Sequence, residues 1–207
     1  MGNANPIAKA EETSQHMAVL IKQKSSRYFD DLLKSTCGPD LLALSLFPNA
    51  KEITESFALY HAYHKFLRKT VSDQTQVVVI GDGSTPRTAA LFAFKTKHVC
   101  SSIDPGLRED TNWDGIDNLY TYKMPLRGYC FPRGIPSHTI IILPHSHVPH
   151  AELTSFLKML RRWDCISMAC CVENEGVFQS SPDIEYADWG VWSPHRMIKI
   201  WRGKCGI

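Results

Sequence analysis

Apolar positions along the chain fall into two rhythms. From Glu11 to Leu33, residues Met17, Leu20, Ile21, Tyr28 and Leu32 recur at three-to-four spacing, which predicts one or two amphipathic helices. Cys37-Gly38-Pro39-Asp40 reads as a break, followed by a short apolar stretch from Leu41 to Leu46 and a second break at Pro48-Asn49. Lys51 to Thr70 predicts a helix, with Ile53, Phe57, Tyr60 and Leu67 on one face and Leu59 and Phe66 beside it. The rhythm then changes. Val77 to Ile80 is apolar at every position, the mark of a strand buried on both faces. A helix is expected from Thr85 or Pro86 to Phe94, since proline suits a first turn. Further strands are expected at Val99–Ile103, Leu119–Tyr122, Ser137–Leu143 and Asp164–Val172. A helix should lie over Ala151–Leu160, and two closing strands over Tyr186–Trp192 and Arg196–Trp201.

That alternation predicts an α/β fold. The expected architecture is a doubly wound, Rossmann-like, mostly parallel sheet with a closing antiparallel strand, preceded by N-terminal helices. Residues 1–50 are read as a helical extension and 51–207 as the Rossmann-like domain. At 207 residues the chain is long enough for one good core.

Composition narrows little. With 43% hydrophobic and 21% charged residues the chain is globular in type, and a net charge of +2 selects no partner. Seven cysteines lie without a pairing rhythm and without a CxxC pair, so neither a disulfide framework nor a zinc ribbon is suggested. Reduced thiols, no signal-peptide core and no apolar run of membrane-spanning length give the expectation of a soluble cytoplasmic protein with no membrane partner. Gly2 suits N-myristoylation, but Pro6 stands where Ser or Thr is wanted.

The chemistry concentrates between Gln76 and Leu107, in QVVVIGDGSTPRTAALFAFKTKHVCSSIDPGL. A buried strand runs into Gly81-Asp82-Gly83-Ser84, a helix follows, and the next strand ends on Asp104, 21 residues after Gly83. Glycines permit a tight turn and close approach of a ligand to the backbone, while the helix start offers unpaired N–H groups. A carboxylate at the neighbouring strand end can accept from both hydroxyls of a ribose. A dinucleotide fold would want a third glycine where Pro86 stands, and no GKS or GKT phosphate loop is present.

This pattern resembles motif I of the class I S-adenosylmethionine-dependent methyltransferases. The motif covers Val77 to Asp104, and the order of elements is similar over about Lys51 to Arg202. The resemblance implies S-adenosylmethionine as cofactor, with Gly81, Asp82, Gly83 and Ser84 along its methionine end and Asp104 on its ribose. It also implies a final hairpin from YADWGVWSPHRMIKIWRG. Two positions depart from the family pattern. Val79-Ile80 replaces the acid before the first glycine, with Asp82 as a substitute, and YKMPLRGY lacks the acid after the third strand. They motivate an alternative, an inactive Rossmann-like binding or assembly module. A nucleotide-sugar or NAD-binding enzyme is a third reading, opposed by the missing third glycine.

The fourth strand ends in IIILPHSHVPHAE, where the resembled family often carries Asp or an Asn-Pro-Pro-Tyr-like motif. His145 and His147 are the candidate general bases, imidazole titrating near neutrality. With His150 they are also weighed as metal ligands, against a plain reading as loop histidines. His61 and His64 are read as packing residues. Trp189, Trp192 and Trp201, interleaved with His195, Arg196 and Arg202, raise a base-stacking platform, against the commoner role of strand aromatics as core. Lys123, Arg127 and Arg133 form a modest basic loop that would steer an anionic substrate. RNA, protein and small molecules all stay open as methyl acceptors.

Overall fold

The computed structural model of the chain describes residues 27–109, 113–168, 178 and 181–203. The expected helical positions before Arg27, Gly2, and the continuation of the fifth strand through Cys170 and Cys171 to Val172 lie outside the described residues.

Seven strands form one sheet in the order β3-β2-β1-β4-β5-β7-β6. They are β1 (Thr75–Ile80), β2 (Val99–Ile103), β3 (Leu119–Tyr122), β4 (His138–Pro144), β5 (Trp163–Met168), β6 (Ile184–Ala187) and β7 (Met197–Gly203). Neighbours from β3 to β5 pair in parallel, and β7 pairs antiparallel with both β5 and β6. This is a Rossmann-like, doubly wound arrangement, closed by an antiparallel strand. The order reverses at β1, which leads to β2 on one side and β4 on the other. In open α/β sheets such a switch point leaves a crevice beyond the strand ends.

The sheet is apolar on both faces because helices cover both. All six residues of β1 and all seven of β4 are buried. Alternate side chains enter opposite cores, as a period of two requires. Val77, Val79, Ile140 and Ile142 join the core under α1 (Arg27–Lys34), α2 (Gly38–Ala43), α3 (Ala50–Ala62) and α4 (Arg87–Lys95). Val78, Ile80, Ile141 and Leu143 join the core under α5 (His150–Met159), with Leu153 and Phe156. Tyr28, Leu32 and Leu41 from α1 and α2 are part of the first core.

Three boundaries differ from expectation. Gly38-Pro39-Asp40 begins α2 rather than breaking the chain, because Pro39 occupies its first turn, where no intrahelical N–H is needed. The helix expected over Lys51 to Thr70 is regular only to Ala62. It then widens to a π turn over Tyr63–Leu67 and tightens to a 3₁₀ turn over Arg68–Thr70. The strand expected to reach Trp192 stops at Ala187, because the chain turns after Asp188, whose carbonyl accepts the Val191 N–H at 3.1 Å.

Candidate functional site

The glycine loop leaves β1 with Gly81 at φ +80° and Gly83 at φ +86°, in the left-handed region that disfavours any residue with a Cβ. The Gly81 N–H donates to Ile103 O at 2.9 Å, which ties the loop to the end of β2. A Cβ on Gly81 would stand 2.9 Å from Ser146 Cα, so the glycine lets the segment after β4 cross the end of β1.

Asp104 closes this arrangement from β2. One carboxylate oxygen accepts the Gly83 N–H at 2.7 Å, and the other accepts the Gly106 N–H at 2.7 Å. Each oxygen keeps a further lone pair, and the residue is only partly buried, so Asp104 can still accept from a ligand.

Asp82 does different work. It is fully buried and its carboxylate turns under the start of α4. It accepts from Thr88 N and Ala89 N at 3.0 Å each, and from Ser102 Oγ at 3.1 Å. It is thus the cap of α4, satisfying two otherwise orphaned helix amides. Burial pushes its carboxyl up, against the opposing pull of the Arg87 charge and those amides. The side chain of Asp82 therefore does not supply the acid missing before the glycines. Ser84 is exposed on the outer side of the loop, its carbonyl accepting from Arg108 N at 3.0 Å.

Beyond the ends of β1, β2, β3 and β4 lies a crevice of about 340 Å³. Gly81, Asp104, Met124, Leu126, Ser146 and His147 are among its walls. That volume is at the lower end of small-molecule sites, roughly 300–1,000 Å³. Its acceptor end is Asp104; its flanks at Pro105, Met124 and Leu126 are apolar. Glu152 adds a carboxylate at the α5 side, where it also accepts the Arg127 N–H at 3.2 Å.

Of the residues singled out in the sequence, Gly81, Asp104 and His147 line this crevice, with Gly83 joined to it through Asp104. His145 does not. Its Nε2 meets Glu55 Oε1 at 2.8 Å on the opposite side, against α3. Among the described residues no three His, Cys, Asp or Glu side chains converge as a metal site. His61 pairs with Asp31 at 2.9 Å and stands edge-on to Tyr28, and His64 meets Arg68 at 2.7 Å. The tryptophans do not form one platform: Trp201 is buried on Phe178, while Trp189 and Trp192 are exposed in the β6–β7 loop. The basic loop is largely paired, Lys123 with Glu109, Arg127 with Glu152 and Arg133 with Asn118.

Ser146, Met124 and Glu55 had no signal in the sequence. Ser146 and Met124 follow strands whose neighbours are fixed only by topology. Glu55 sits on a helix buried almost all round, from Thr54 to Leu59, so no polar face marks it.

No protein-family model matches the sequence, and no curated protein matches it. Solved structures of similar shape exist at low identity. A mutant of MtNAS is 11% identical with a TM-score of 0.45, over 80% of this chain and 69% of that one. In complex with S-adenosylmethionine, the MtNAS mutant gives 12% and 0.40, over 93% and 76%. The plantazolicin methyltransferase BpumL in complex with SAH gives 11% and 0.41, over 74% and 62%.

Proposed function

We propose that the chain binds S-adenosylmethionine in the strand-end crevice and transfers its methyl group to an acceptor of undetermined class. The observation that carries this reading is the joint made by Gly81, Gly83, Asp104 and Ser146 at the switch point. It sets a carboxylate with spare acceptor capacity at one end of an apolar crevice, beside a bare glycine backbone. These residues fit the nucleoside. Asp104 would take the ribose hydroxyls, Pro105, Met124 and Leu126 would flank the base, and Gly81 with His147 would face the methionine end. The cofactor supplies an activated methyl group. The protein's part is to position the acceptor in line and to exclude water.

A second reading, a binding module without turnover, is favoured by the burial of Asp82, which leaves Asp104 and Glu152 as the acids of the crevice. A cytoplasmic setting belongs to the same proposal. Cys37, Cys100, Cys130 and Cys165 are free thiols, and no described helix is long and apolar enough to cross a membrane.

The test is calorimetric titration with S-adenosylmethionine and its demethylated product, using wild type, Asp104→Asn and Asp104→Ala. Asn keeps one acceptor oxygen, enough for one of the two loop amides. Micromolar binding that falls about tenfold in Asp104→Asn and further in Asp104→Ala is expected, in line with about 1.5–3 kcal/mol for hydrogen bonds to a charged group. A folded wild type that binds neither ligand at millimolar concentration would remove the cofactor reading.

A further inference from the structure

The β6–β7 loop carries a large side chain that the core does not use. Trp189 is 60% exposed, yet the turn beneath it is fixed. Asp188 points inward and accepts from Arg27 and the Gly190 N–H on one oxygen, and from Tyr28 OH on the other. Gly190 backs onto the same two residues: a Cβ there would stand 2.5 Å from Arg27 Nε and 2.8 Å from Tyr28 Cε2. With its two neighbours held against α1, Trp189 projects outward. Arg196 lies over the indole, its Cζ 4.8 Å from the ring centroid.

Beside this indole lies a recess of about 410 Å³, within the roughly 300–1,000 Å³ of small-molecule sites. Arg27, Lys65, Tyr186, Asp188 and Trp189 are among its walls. Lys65 is exposed and comes from the π turn at the end of α3, a conformation rare in proteins and frequent at functional sites. The Arg27 side chain is half exposed. Among the described walls the acid is Asp188, and Arg27 matches it, so Lys65 and the neighbouring Arg196 leave the recess positive. Glu185 on β6 and Asp31 on α1 are engaged elsewhere, with Lys199 at 3.6 Å and with His61 at 2.9 Å.

We propose that this recess binds single-stranded nucleic acid, with Trp189 stacking one base and Lys65 and Arg27 holding a flanking phosphate. Asp188 is the positioning residue, since it fixes both Arg27 and the turn that presents the indole. Every base has a π face that stacks on an aromatic ring, and a guanidinium and an ammonium suit the phosphate. A simple anion would have no use for the indole, and a duplex keeps its base faces covered. The recess lies on the β6 edge of the sheet, four strands from β1 and roughly 19 Å away at about 4.8 Å per strand, so it is distinct from the cofactor crevice. The proposal does not depend on methyl transfer.

The test is fluorescence anisotropy of the full chain with labelled oligouridylate and oligothymidylate of about 12 nucleotides, a length within the site sizes of single-strand binders. Micromolar binding that weakens with salt is expected. Trp189→Ala should weaken it about tenfold, the size of one stacked base, and Trp189→Phe by less than about threefold. Quenching of tryptophan fluorescence by the oligonucleotide should shrink in Trp189→Phe although that variant still binds, a split that a merely structural indole would not produce. Lys65→Gln should flatten the log–log salt dependence by about 0.7, one counterion on a single strand. Lys158→Gln, on the exposed side of α5 across the sheet, should leave it unchanged. Equal affinity for a blunt duplex or for polyglutamate would reduce the recess to a polyanion contact and overturn the stacking assignment. A wild type that binds neither oligonucleotide below millimolar concentration would overturn the proposal, and binding to phosphatidylserine vesicles in its place would make this face a membrane contact. The cofactor titration is read separately, and its failure would leave this site standing.

Discussion

Gly81 concentrates the residue-scale logic, because two independent constraints meet there. Its φ of +80° would cost a residue with a Cβ roughly 1–2 kcal/mol. The added Cβ would also stand 2.9 Å from the Ser146 backbone, which cannot swing aside as a flexible side chain can. Gly81→Ala is expected to lower stability by more than about 2 kcal/mol and to weaken cofactor binding at least tenfold. Gly134 is the matched control: it has φ +77° and no atom within 4 Å of an added Cβ. Gly134→Ala should show only the backbone term, about 1–2 kcal/mol, and full binding. Thermal unfolding and calorimetry on both variants check this, and equal effects would mean that the Ser146 contact is unimportant. The glycine turn and Asp104 were legible in the sequence because strand, turn and acid occur in a fixed local order. The direction of Asp82 was not. A residue between two glycines faces either the ligand or the helix start, and only the packing of α4 on the sheet selects the second.

Among elements, α1 is tied to the far end of the chain. Asp188, in the β6–β7 loop and 4% exposed, accepts from Arg27 and Gly190 on one oxygen and from Tyr28 OH at 2.5 Å on the other. Tyr28 is fully buried, so its hydroxyl has no easy replacement partner, whereas the half-exposed Arg27 can return to water. Asp188→Ala should therefore cost about 1–3 kcal/mol, the range for a buried polar group left unmet. The loss should be local. Hydrogen exchange is expected to rise in α1 and the β6–β7 loop while β1 amides stay protected; a uniform rise across the sheet would contradict the assignment. This joint spans 160 positions in sequence, which is why no local pattern announced it. The parallel strands were readable for the opposite reason: Val77 to Ile80 and Ile140 to Leu143 are apolar on both faces, and only a sheet covered by helices on both sides buries such runs. Burial of every residue from Thr54 to Leu59 likewise hid Glu55 on α3, since no local pattern separates it from its buried neighbours.

At the scale of the whole molecule, buried ionisable groups set the pH range of stability, and the two ends differ. On the acid side, Glu55 is held below its ordinary value and contributes stability that is lost as pH falls through its folded pKa. Asp82 is pushed up by burial, so its contribution has the opposite sign and grows as pH falls, which blunts the acid limb. On the alkaline side the described tyrosines act together. Burial, with smaller contributions from Tyr60 and Cys100, pushes Tyr63 up to about 12, and burial with Asp188 does the same for Tyr186. Burial also raises Tyr28 and Tyr129. An unfolded tyrosine loses its proton near 10, so the folded state holds protons that the unfolded chain releases. The stabilisation is complete below pH 10 and is lost as pH rises from there through about 12. The buried thiols of Cys100 and Cys165 are raised too and act with the same sign, so thermal midpoints should begin to fall at about pH 8.5 and fall more steeply above about pH 10. Tyrosinate absorbance of the folded protein should lag that of the unfolded chain over the same window. Tyr186→Phe should flatten the fall, since phenylalanine keeps the ring contact with Phe66 and carries no proton to lose. A tyrosinate titration that coincides in folded and unfolded protein would refute the tyrosine account, because the linkage requires that difference whatever the buried thiols of Cys100 and Cys165 add.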